Sequence, residues 1–114
     1  MFFIQFLKII AGVATILTGV VSLFWPAKVQ GFTGLTAKGG RGITEIRSIL
    51  GALFVGLGAA ALFYNQYETY AMLGITYLVI GIVRAISMYV DKSVERSNVI
   101  SVVTELVFGV VLML

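Results

Sequence analysis

Neither cysteine nor histidine occurs in the 114 residues, and proline occurs once, at Pro26. Without cysteine there are no disulfide relays, thiol nucleophiles or thiolate-held metals. Without histidine there is no imidazole acid/base and no imidazole ligand for zinc or haem. Charge is scarce as well: 11% of residues are Asp, Glu, Lys or Arg, against roughly 25% in an ordinary soluble domain. A nucleic-acid partner is therefore not expected. The net charge of +3 is read as a determinant of membrane orientation.

Apolar residues are abundant, at 60% of the chain. A domain this small cannot hide so much apolar surface from water, so lipid must cover it. Four apolar stretches, at about 2–25, 43–64, 70–90 and 98–114, each approach the ~20 residues that span a bilayer as a helix. Alternation of period two, the sign of a membrane barrel, is absent, and backbone groups in lipid must be satisfied within each segment. The expected fold is all-α: one domain, an antiparallel bundle of four transmembrane helices. The first stretch lacks a basic amino end and a small-residue cleavage site, so it reads as a span and not as a signal peptide.

Two connections, 65–69 and 91–97, are short and must join antiparallel neighbours. The connection 26–42 is longer and Gly-rich, with room for a short interfacial helix. Lys28, Lys38, Arg41, Lys92 and Arg96 lie in the first and third connections, whereas Lys8 is alone at the opposite side. Basic loops stay in the cytoplasm. That places loops 26–42 and 91–97 inside and the termini outside. Lys8 reads as an anchor snorkelling to the far interface. The stretch Gly34–Gly42 lacks the Gly-Lys-Ser/Thr ending of a P-loop and reads as a basic loop beside anionic lipid.

Small and polar residues recur at alternating steps of three and four. In the first span they are Gln5, Lys8, Gly12, Thr15, Gly19 and Ser22; in the second, Thr44, Arg47, Gly51, Phe54 and Gly58. The third has Gly74, Tyr77, Gly81, Arg84, Met88 and Asp91; the fourth has Asn98, Ser101, Glu105 and then Phe108 or Gly109. Such faces pack inward in membrane bundles, and the step of 3.5 implies left-handed crossings near +20°. Leu at Gly51 or Gly81 is expected to disturb this packing more than Leu at Ala61.

Four ionisable residues fall within the spans: Glu45, Arg47, Arg84 and Glu105. A charge at mid-bilayer costs roughly 2.5–3.5 kcal/mol on insertion scales, so each needs a partner. Arg84 stands seven residues before Asp91 and Glu105 eight after Ser97. At 1.5 Å per residue both lie ~10–12 Å inside the span, on neighbouring helices. They are expected to pair, with Glu45 and Arg47 entering from the same side to complete a neutral cluster. Ser48, Gly51, Tyr77, Gly81, Met88, Asn98 and Ser101 are the candidate lining of a pocket around it.

The runs Glu45-x-Arg47-x-x-x-Gly51 and Gly81-x-x-Arg84, with Glu105-Leu106 and Pro26 closing the first span, carry a resemblance. The chain resembles a domain-of-unknown-function family of small bacterial membrane proteins, with a layout similar to that of the DoxX-like four-helix proteins. The resemblance implies a four-helix bundle in the bacterial inner membrane and groups the four charges as one set. It implies no activity, substrate or cofactor.

The residues leave several functions open. One is a pocket for a lipid, quinone or other amphiphile, its polar head gripped by the Glu/Arg cluster. Another is a structural or assembly subunit whose ion pairs only hold the helices together. A small transporter is a third, although the first span has no carboxylate of the kind small drug exporters use. Enzyme chemistry is not selected by any residue, and no metal or cofactor is expected. Membrane lipids are the expected partners, and self-association into a homo-oligomer stays open.

Overall fold

A computed structural model describes residues 2–114. The chain is all-α. Four helices are long and apolar enough to cross a membrane: α1 (Phe2–Phe24), α3 (Gly39–Tyr64), α4 (Tyr67–Val90) and α5 (Arg96–Met113). A short helix, α2 (Pro26–Thr33), follows α1 directly. Proline suits this place because the first helical residue has no intrahelical partner for an N–H.

Each break in the chain has a local cause. Asn65 ends α3 in the left-handed region (φ 48°), its N–H donating to the Ala61 carbonyl; asparagine tolerates that conformation better than most side chains. The Gln66 N–H then donates to the Thr69 hydroxyl (3.2 Å), which satisfies an orphan donor at the start of α4. At the other end of α4, Lys92 adopts φ 53°, and the Ser93 N–H reaches back to the Met88 carbonyl (2.9 Å). This closes the helix end with a six-to-one bond, and Lys takes the place glycine usually fills.

The helices pack as two close pairs, α1 with α3 and α4 with α5, and glycine sets both contacts. A Cβ on Gly19 would fall 2.6 Å from the Gly51 carbonyl oxygen, and one on Gly58 would fall 2.9 Å from the Gly12 carbonyl oxygen. In the second pair, a Cβ on Gly74 would meet the Gly109 carbonyl oxygen at 2.9 Å. Backbones this close gain dispersion that lipid cannot supply. On α1 the three-four spacing holds throughout: Lys8, Gly12, Thr15, Gly19 and Ser22 are all buried.

The second span departs from its expected face. Gly51 and Gly58 are buried, but Thr44 and Arg47 are exposed and Ile46 is buried in their place. The reason is the winding of α3. Residues Ile46–Ala52 are π-helical, and the Leu53 N–H donates to the Ser48 carbonyl, five residues back. The buried face therefore passes from Ile46 to Gly51 in a five-residue step, which an α-helix does not keep on one side. Ala61 also departs from expectation. It is 2% exposed and belongs to the core with Ala11, Tyr70, Leu73, Tyr77 and Leu112, so a Leu there is costly too. Gly56, whose Cβ would meet nothing within 4 Å, is a tolerant site within the same span.

That core fills the half of the bundle near the Asn65 turn. The other half, toward α2 and the α4–α5 connection, is open between the two helix pairs. Large side chains such as Leu17, Ile49, Val79, Ile82 and Val103 face outward and form the surface that lipid would cover.

Candidate functional site

Arg84 and Glu105 meet in the half of the bundle toward the α4–α5 connection. The Arg84 Nε donates to one Glu105 carboxylate oxygen at 2.9 Å, and Nη2 donates to the other at 3.0 Å. The arrangement is a fork-to-fork pair, the geometry that makes arginine suited to a carboxylate in a low dielectric. Arg84 Nη1 donates to Asn98 Oδ1 at 3.2 Å, and the Asn98 amide donates to the Ser93 carbonyl at 2.9 Å. Asn98 thus ties the ion pair to the α4–α5 connection. Gly81, one turn before Arg84, lets α5 approach: a Cβ there would lie 3.0 Å from Leu106 and 3.3 Å from the Glu105 Cβ.

The pair borders a cavity of about 260 Å³. All five helices contribute: Thr18 and Ser22 from α1, Phe32 and Thr33 from α2, Leu50 and Phe54 from α3, Tyr77 and Arg84 from α4, and Ser101, Thr104, Glu105 and Phe108 from α5. Thr18, Phe32, Thr33 and Thr104 are exposed and mark the open side of the cavity. Its inner end is built of aromatic and hydroxyl groups. Tyr77 shares a 2.5 Å hydrogen bond with Thr15 and stacks edge-on against Phe108 at 5.5 Å. The Glu105 side chain is 12% exposed and that of Arg84 35%, so the arginine is the member that a cavity occupant reaches first.

The residues proposed from sequence divide sharply. Arg84 and Glu105 are paired, and Tyr77, Asn98 and Ser101 line the cavity. Glu45 and Arg47 do not join them. Glu45 pairs with Arg41, one turn earlier on the exposed face of α3. Arg47 is exposed and has no ion-pair partner among the described residues. The helix starts at Gly39, which places Arg41 and Glu45 four residues apart on one face, and the π segment then turns Arg47 and Ser48 outward. Gly51 packs against the Leu23 backbone. Gly81 packs against α5, and Met88 lies in a shallow outer groove of about 490 Å³ that also touches Arg84 and Asn98.

Sequence reading missed Thr33 and Phe32, because nothing in a short loop helix says where it folds back. Thr18 and Thr104 were missed because each stands one position off the inward series. Among the described residues no cluster of three Asp or Glu could hold a metal ion.

The family model for a domain of unknown function, DUF4345, matches residues 3–114. The chain belongs to the DUF4345 family. That membership comes without an assigned activity. No curated protein and no solved structure matches this DUF4345 chain significantly. Its family and its four membrane-length apolar helices agree with an integral, multi-pass membrane protein.

Proposed function

We propose that this DUF4345 protein binds a neutral amphiphile, its polar head in the cavity beside Arg84 and Glu105 and its tail in the surrounding lipid. The observation that carries the reading is an ion pair facing an open cavity with hydrogen-bonding capacity to spare. Of the five N–H donors of a guanidinium, Arg84 uses three, one each from Nε, Nη1 and Nη2. Two donors remain, and Ser101 and Thr104 line the same cavity with Arg84. The pair sums to zero charge, so an occupant with a net charge would bring it uncompensated into low dielectric. An alcohol or carbonyl head, as on a quinone, meets no such cost. Phe32, Phe54 and Phe108 supply the apolar walls typical of small-molecule pockets.

Trp25, the single tryptophan, lies between the cavity residues Ser22 and Val29 in the chain. Decylubiquinone, a neutral amphiphile with carbonyl acceptors, should quench its fluorescence saturably in detergent. Ser101→Phe, which fills the cavity and leaves the ion pair in place, should abolish the saturable part. Linear quenching of equal slope in both proteins would leave the pair as a purely structural clasp.

The orientation proposed with this reading puts the cavity toward the cytoplasmic leaflet of a bacterial inner membrane, as the basic residues of the first and third connections favour. Cysteines introduced at Lys38 and Glu95 should resist an impermeant thiol reagent in intact cells and react after lysis. Ready labelling of both in intact cells would invert the protein.

A further inference from the structure

The end of the bundle opposite the ion pair holds a cation without a counter-charge. Lys8 lies six residues into α1, about 9 Å along the helix from Phe2. It does not snorkel outward into lipid. The residue is 6% exposed and faces α4, where its ammonium sits 5.1 Å from the ring centre of Tyr67 and 5.7 Å from that of Tyr70. No carboxylate pairs with it: the ion pairs among the described residues are Arg41–Glu45 and Arg84–Glu105. Glu68, in the first turn of α4 and the one acidic side chain near this end, is exposed and forms neither. Among the described residues no hydrogen bond from the ammonium is formed either, yet no fully buried polar side-chain atom among them lacks a partner. The tip of Lys8 therefore touches the surface, while its stem is enclosed.

The surroundings hold that tip in place. Gln5 Nε2 and the Tyr70 hydroxyl both donate to Asn65 Oδ1, at 2.8 and 2.7 Å. The Tyr67 hydroxyl donates to the Met113 carbonyl at 3.2 Å. These bonds join the ends of all four long helices and fix both rings against the ammonium. Stacking on aromatic faces offsets part of the desolvation of a cation but leaves its charge and its donors unused. Tyr67 is 57% exposed, so one of the two rings against the ammonium stands at the surface of the bundle.

We propose that Lys8, framed by Tyr67 and Tyr70, is a binding site for an anionic phosphate group at the membrane surface opposite the cavity. A phosphate accepts the unused ammonium donors and supplies the missing charge, and its approach past Tyr67 lies at headgroup level. A lipid headgroup and a free phosphate ion share this chemistry. The site does not depend on the cavity: the two lie at opposite ends of the bundle and share no residue.

The test is the rate of amine acylation at Lys8 relative to Lys92, read by peptide mass spectrometry on the unmodified protein in maltoside micelles. One sample carries phosphatidylglycerol, a second phosphatidylcholine and a third inorganic phosphate. Protection of Lys8 by phosphatidylglycerol alone, about tenfold at ten times the dissociation constant, identifies a lipid site. Protection by inorganic phosphate as well identifies a free-anion site. Lys8-to-Lys92 ratios in all three samples equal to that in maltoside alone overturn the proposal. Thermal unfolding gives an independent readout. Phosphatidylglycerol should raise the midpoint of the native protein and of Lys8→Arg, and leave that of Lys8→Met unmoved. An equal rise in Lys8→Met also overturns it.

Discussion

Glu105→Gln should cost the bundle about 3 kcal/mol, the lower part of the range of about 3–5 kcal/mol typical of breaking a buried pair. The substitution keeps the shape of the side chain and removes its charge. Arg84 would keep its bond to Asn98, and an amide oxygen can accept one further N–H. The guanidinium would still carry a full charge into a low-dielectric setting that Glu105 alone now balances. Partial access of Arg84 to the cavity moderates the loss, which is why the lower part of the range applies. The double variant Arg84→Met with Glu105→Gln removes both charges and should recover at least half of the lost stability. Resistance to unfolding by dodecyl sulfate, titrated from maltoside micelles, measures both. A double variant as unstable as the single one would mean that the two side chains do not act as a pair.

The second large effect is expected at Gly19. Its Cβ would lie 2.6 Å from the Gly51 carbonyl oxygen and 2.7 Å from the Val55 nitrogen. Both obstacles are backbone atoms, so no rotamer change relieves the clash and α1 must move away from α3. Overpacking typically costs about 1–3 kcal/mol, and Gly19→Ala should reach the upper end. Gly56→Ala, on the same helix pair but facing open space, should be neutral or slightly stabilising, since alanine favours the helix by up to about 1 kcal/mol over glycine. The same denaturant titration compares them. Equal midpoints would remove the Gly19–Gly51 contact as a determinant of the fold. A sharper change is expected for Gly19→Leu, which should also shift Ser22 and Thr18 and so deform the cavity they line.

Much of the site was legible because short connections convert sequence distance into depth. The α4–α5 connection is brief, so Arg84 and Glu105, counted outward from it, had to fall in one layer. The inward face of α1 was legible for a similar reason: its helix is regular from Phe2 to Phe24, and the three-four step keeps phase. Legibility failed on α3. The π winding over Ile46–Ala52 breaks that phase, so Glu45 and Arg47 were assigned inward and lie outside. It failed again for Lys8, where spacing gave the inward position but the choice between lipid and aromatic neighbours rested on side chains sixty residues away.

Composition and hydropathy by themselves determined that the chain forms four helices long and apolar enough to cross a membrane, since apolar length and the need to satisfy backbone polar groups in lipid allow little else. They also determined that Arg84 and Glu105 were matched in depth. Only the tertiary structure decided which pairs of helices close on glycine, that α2 folds against the open half to wall a cavity, and that Lys8 stands over two tyrosines without a counter-charge. The physical reason is range. Burial and helix formation are written in local pattern, whereas a cavity or an unpaired cation depends on where distant helix faces meet, and a single π segment is enough to turn such a face away.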